Sequence, residues 1–239
     1  MAVIVTPGSN PSTLAAKAAT STIPIVSGVG EDPVALGLVA SLARRGGNVT
    51  GINYFGLEVN AKRLELMHQM LPKARRFAVL VNPGNATAAA AASKSLKDAA
   101  DALGLEAFFV NTRTPAEVDA AFARIAREQA DALFIAADGF FNSRRVQIAT
   151  LAVRERIPAS VVSREMVEAG ALMSYGTSLT DMSRQVGVYA GSILKGAKPA
   201  ELPVLQATRF EFVINLQTAK TLGIDIPPML LALATEVIE

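Results

Sequence analysis

Short aliphatic and β-branched runs alternate along the chain with alanine-rich segments in which apolar residues recur every three or four positions. Such alternation predicts βαβ units and a parallel sheet. The first series reads as a strand at 2–5 (AVIV), a turn at Pro7-Gly8, a helix at 11–20 and a strand at 23–26 (IPIV) that ends in SGVGEDP. A helix at 34–43, a turn at 44–48 and a strand at 48–54 follow. In the helix predicted at 58–71, Leu64, Met67 and Leu71 fall on one face, and Pro72 ends it. A second series opens with a strand at 77–81 and an NPGNAT turn, followed by a helix at 86–103 stopped by Gly104. It continues with a strand at 107–110, a helix at 115–129, a strand at 132–137, a helix at 144–156, and strands at 158–162 and 171–175. The tail holds a helix at 181–195, a strand at 210–215 (FEFVIN) and a helix at 216–222. Two α/β series thus lie in tandem with a boundary at Leu71-Pro72, without a low-complexity linker or a fixed-period repeat.

Ligands of open parallel α/β sheets bind beyond the carboxyl ends of the strands. Those ends are polar or glycine-rich here: TPGSN at 6–10, SGVGED at 27–32, NPGN at 82–85, ADGFF at 137–141, SRE at 163–165 and SYGT at 174–177. Ser, Thr and Asn side chains and helix N-terminal amides can hold a carboxylate, although ordinary turns and helix caps favour the same residues. Asp138, followed by Gly139 and the pair Phe140-Phe141, has two readings. It is a counter-charge for a ligand ammonium beside an apolar wall, or the cap of a helix beginning near residue 142 with the phenylalanines in the core.

Composition narrows the chemistry. Of 239 residues, 51% are apolar and 18% charged, and the net charge is +2 without a basic run, so the nucleic-acid signature is absent. There is no cysteine, which removes disulfides, thiolate nucleophiles and Cys-based metal sites. His68 is the single histidine and lies beside an apolar helical stripe, a structural setting that leaves no catalytic triad or zinc site. Glu31 and Asp32 are adjacent in a loop, and Glu165 with Glu168 lies near a turn without a strongly apolar setting, so neither makes a convincing acid–base pair. The segment GVGEDP at 28–33 fails as a dinucleotide fingerprint, because Pro33 replaces the third glycine and two carboxylates would repel a pyrophosphate. No charge-free apolar run of 18 residues reads as a membrane span. The opening MAVIVTPGSN has neither a basic n-region nor a cleavage site, so no signal peptide is read in this chain.

Four segments carry a family resemblance: IPIVSGVGEDPVALGLVASLARRGGNVTG (23–51), KRLELMHQMLPKARRFAVLVNPGN (62–85), REMVEAGALMSYG (164–176) and LKGAKPAELPVLQATRFEFVINLQTAKTLGIDIPP (194–228). Together they resemble the substrate-binding proteins of ABC transporters, tryptophan/aromatic-solute type, from about Val3 to the end. The resemblance implies a type I periplasmic-binding fold, in which two α/β lobes close on a small solute. It implies a non-enzymatic protein without cofactor, partnered by a membrane permease, periplasmic, and a monomer when full length. The first lobe is expected from 1–71 plus 178–239 and the second from 72–177, with the tail strand returning to the first lobe or the hinge. Such proteins open with a further strand–helix–strand–helix stretch, so a chain shortened at its N-terminus is expected, with 2–5 as an apolar sheet edge.

Candidate ligand contacts are Ser9, Ser27 and Asn53 in the first lobe, and Asn82, Asn85, Asp138, Phe140 and Tyr175 in the second. The expected solute is an amino acid or a related aromatic carboxylate. The absence of Trp argues against stacking on a sugar. The alternative function is the ligand-sensing domain of a transcription regulator, which shares the architecture. An amino-acid racemase on a similar fold would need two cysteines.

Overall fold

A computed structural model of the protein describes residues 2–43, 47–54 and 59–239. The chain divides into two compact units, Met1–Gly56 with Thr177–Phe210, and Leu57–Gly176 with Glu211–Glu239.

The first unit is built on a four-stranded sheet of order β1-β2-β3-β9: β1 (Ile4–Pro7), β2 (Ile25–Val29), β3 (Val49–Asn53) and β9 (Leu205–Gln206). All its pairings are parallel, with Ser27 opposite Gly51 and Ile52 opposite Leu205. Strand period two sends alternate residues to opposite faces. Val26 and Ile52 therefore meet Met182, Val186 and Ile193 of helix α8 (Leu179–Leu194), whereas Ile25, Val29 and Val49 pack with Leu38. Helix α1 (Asn10–Ala19) is capped by Ser9, whose Oγ accepts from the Ser12 N–H.

The second unit holds a seven-stranded sheet of order β11-β10-β8-β7-β6-β4-β5. Its strands are β4 (Arg76–Val81), β5 (Glu106–Asn111), β6 (Ala132–Ile135), β7 (Ala159–Val161), β8 (Met173–Thr177), β10 (Phe210–Asn215) and β11 (Glu236–Ile238). Phe77, Val79, Val81 and Phe134 face one core with Leu64, Met67 and Met70 of helix α2 (Val59–Met70) and Ala92, Leu96 and Ala100 of helix α3 (Ala86–Ala102). Ala78, Leu80, Leu133 and Ile135 face the other, with Val118, Ala121, Phe122 and Ile125 of helix α4 (Pro115–Arg127) and Ile148 of helix α6 (Arg145–Arg154). Thr114 caps α4, its Oγ1 accepting from the Glu117 N–H at 3.3 Å, while Glu117 accepts from the Arg113 N–H at 2.8 Å.

Several expectations are corrected. The helix predicted at 34–43 is a chain of turns. Gly37 takes the left-handed conformation at φ 66°, which ends helical propagation, and Leu38 drops into the first unit's core. Lys17 fixes the turn by donating to the carbonyls of Gly37 and Leu38. The segment 58–71 packs in the second unit rather than the first, because its apolar face completes the core over Phe77 and Phe134; residue 58 itself, like 44–46 of the predicted turn, lies outside the described residues. Residues 211–239 also belong to the second unit. Phe212 and Ile214 enter one of its cores and Val213 the other, so β10 needs a sheet covered on both faces. Short elements without a sequence signal include helix α7 (Arg164–Glu168), helix α10 (Pro228–Leu233), β9 and β11.

Candidate functional site

In the first unit the polar residues gather at the carboxyl end of its sheet. β2 ends at Val29, three residues later than expected, so Ser27 lies inside the strand. Its hydroxyl is buried and donates to the Thr50 carbonyl at 3.2 Å. Gly30, Glu31 and Asp32 then form the strand tip. Ser9 Oγ also donates to Ser12 Oγ at 2.8 Å, so its hydroxyl serves the α1 cap. Asn53, 3% exposed at the end of β3, shares that end of the sheet with Tyr54, whose N–H donates to the Val29 carbonyl at 2.9 Å and whose carbonyl accepts from Thr177 Oγ1 at 2.6 Å.

Three residues of this end were not selected from sequence. Asn10 Nδ2 donates to Glu31 Oε1 at 2.6 Å, and both side chains are buried. Burial pushes the Glu31 carboxyl up, and the Asn10 amide pulls it partly back. Tyr54 lies across Gly30, where a Cβ would come within 2.7 Å of ring atom Cε2. In the sequence Glu31 stood in a polar strand tip, beside Asp32, as a carboxylate unfit for phosphate. Its partner is 21 positions away, a pairing no local pattern announces.

The tips of the second unit bring two candidates together. Asn82 Nδ2 donates to Asp138 Oδ1 at 2.9 Å, and Asn82 Oδ1 accepts from the Gly84 N–H at 2.9 Å. Asp138 Oδ1 also accepts from the Phe140 N–H at 2.9 Å, which makes it the cap of a short helix α5 (Gly139–Ser143). Phe141 is buried in the core and Phe140 packs against it at 5.4 Å between ring centroids. Asn85 stands at the N-terminus of α3 without a side-chain cap bond. Tyr175 is half-buried on β8, edge-on to Phe212 at 6.4 Å.

One buried cation belongs to this unit as well. Arg63 of α2 is fully buried, donates from Nη2 to the Ile135 carbonyl at 2.6 Å, and lies with Cζ 3.7 Å from the centroid of the Phe134 ring. Nε and Nη1 have no hydrogen-bond partner, and burial holds the guanidinium well below its ordinary range.

Neither unit contains a helix among the described residues that is long and apolar enough to cross a membrane. The sequence matches the family model for ABC transporter substrate binding proteins over residues 1–238. A tyrosine-binding protein of Clostridioides difficile (strain R20291) is 31% identical over 218 residues, 91% of this chain; the chain spans 62% of that relative's length. A conserved domain protein of Vibrio cholerae, known from its crystal structure, is 32% identical and superposes with a TM-score of 0.88, covering 98% of this chain and 78% of that one. An ABC domain from Streptococcus pneumonia, crystallised in complex with L-Trp, is 25% identical with a TM-score of 0.84, covering 99% of this chain and 80% of that one.

Proposed function

Because this chain belongs to the ABC transporter substrate-binding protein family, we propose that it is the solute-binding component of an ABC importer and takes a small amphipathic solute, an amino acid or an aromatic carboxylate. The observation that carries the reading is the family match along essentially the whole chain, over residues 1–238. The names of two relatives, one tyrosine-binding and one in complex with L-Trp, support the solute class. The family is one of binding proteins, not enzymes.

Candidate contacts are Ser9 and Asn53 at the tips of the first unit, and Asn82, Asn85, Asp138, Phe140 and Tyr175 at those of the second. Ser27 contributes through the strand it stiffens more than through a free hydroxyl. The solute acts on the protein only through contacts that differ between its unliganded and liganded states, and the partner permease, at the membrane facing the periplasm, reads that difference.

A thermal-shift panel of the amino acids and of aromatic carboxylates tests the reading. A true ligand at about a hundredfold excess over its Kd stabilises by about 2.7 kcal/mol. For a chain of this size that corresponds to a Tm increase of roughly 5–10 °C. A panel in which no member raises Tm overturns the proposal.

A further inference from the structure

The tip of the first unit holds a buried acceptor without a donor. Asn10 and Glu31 meet where α1 begins and β2 ends, 8% and 9% exposed. Their mutual hydrogen bond occupies Asn10 Nδ2 and Glu31 Oε1. Asn10 Oδ1 is left buried without a partner, and no cation pairs with Glu31 among the described residues. A buried amide oxygen without a donor, beside a buried carboxylate without a counter-charge, is costly in an unliganded protein. A guest bearing several N–H donors and a positive charge relieves both.

We propose that Asn10 and Glu31 receive the ammonium group of the solute, with the ring of Tyr54, packed over neighbouring Gly30, as the surface for its apolar part. The inference rests on the solute-binding reading and narrows it: the solute class becomes α-amino acids rather than plain carboxylic acids. An ammonium carries three donors and no acceptor, which matches a cluster of acceptors. Its charge also offsets the burial that pushes the Glu31 carboxyl up. Asp138, a tip carboxylate of the second unit, already takes two donors on Oδ1, from Asn82 and Phe140.

Calorimetric titration with matched pairs tests this: L-tryptophan against indole-3-propanoate, and L-tyrosine against 3-(4-hydroxyphenyl)propanoate. The members of each pair differ by the amino group alone. In the native chain the amino acid binds tighter by about tenfold or more, as expected for a desolvated charge pair. Glu31→Gln brings the two members within about threefold of each other. If Glu31→Gln melts earlier than the native chain, Glu31→Asp replaces it: the charge is withdrawn by one methylene and the ratio narrows partway. A ratio unaltered in the variants, or a native preference for the deaminated acid, overturns the assignment. Equal binding of both members overturns it while the solute-binding reading stands. Failure of every member to bind overturns both.

Discussion

Asn82 donates from its amide to Oδ1 of Asp138 at 2.9 Å, tying the end of β4 to the residue that caps α5. The same oxygen accepts the Phe140 N–H at 2.9 Å, so one carboxylate organises two neighbouring strand tips. Asp138→Ala removes the cap and strands the Asn82 amide. Urea unfolding followed by circular dichroism is expected to lose about 1–2 kcal/mol of stability. Asp138→Asn keeps an acceptor for Phe140 and costs less than half as much. If Glu31 holds the ammonium, neither variant alters the preference for amine-bearing solutes.

Arg63 gives a contrast between charge and volume. Its single hydrogen bond goes to the Ile135 carbonyl, and no carboxylate pairs with it among the described residues. Replacing an uncompensated buried ion by an apolar chain of similar length is often neutral or stabilising. Arg63→Met is therefore expected to change the unfolding free energy by less than about 1 kcal/mol. Arg63→Ala leaves a cavity over Phe134 and costs on the order of 3 kcal/mol. Equal losses in the two variants would show that the charge itself stabilises the second unit.

Two glycines separate backbone need from convenience. Gly51 has φ 152°, and a Cβ there would lie 2.0 Å from the Ser27 carbonyl oxygen of the adjacent strand. Gly51→Ala is expected to cost about 3 kcal/mol or more, since only movement of β2 relieves the clash. Gly187, within α8, has no heavy atom within 4 Å of its added Cβ. Gly187→Ala is expected to stabilise by about 0.5–1 kcal/mol. Thermal melts of the two variants should move in opposite directions.

The ion pair of Arg164 with Glu236 predicts a pH dependence. Nε and Nη2 of Arg164 each donate to one oxygen of Glu236 at 2.6 Å, joining α7 to β11. The hydrogen bonds from Arg164 hold the Glu236 carboxyl below its ordinary value, against the opposing effect of burial. A carboxyl depressed on folding contributes stability above its unfolded-state pKa and loses it as the pH falls through the folded value. Glu236→Gln should therefore be less stable than the native chain at neutral pH, by under about 1 kcal/mol for so exposed a pair. The gap should close on acidification. A gap that persists at acid pH would assign the effect to packing of β11 instead.

The alternation of elements was legible because each strand run is short, apolar and bounded by turn residues, as at 76–81 and 132–135. Less legible was which sheet a segment joins. FEFVIN reads as a strand in isolation, and only the need to bury Phe212 and Val213 on opposite faces sends it to the second sheet. The run after Pro33 carries a helical apolar spacing, yet Gly37 and the pull of Leu38 toward the core outweigh it. At the site, single polar tips could be picked out, and Asn82 and Asp138 do meet. The Asn10–Glu31 pair could not be foreseen, because strand register and helix placement, rather than local sequence, bring it together.

Thr50 Oγ1 donates to the Leu202 carbonyl at 2.9 Å, spanning 152 positions of sequence. The first unit thus borrows β9 and α8 from the far end of the chain. While the ribosome is still translating, β1, β2 and β3 emerge without the helix that covers Val26 and Ile52. Strands β4 to β8 of the second unit are all synthesised before that helix. The nascent chain therefore carries an uncovered apolar face through most of its synthesis, a state prone to aggregation and suited to holding chaperones. A premature stop shortly before residue 177 would leave β1, β2 and β3 untouched in sequence and yet deny the first unit its cover.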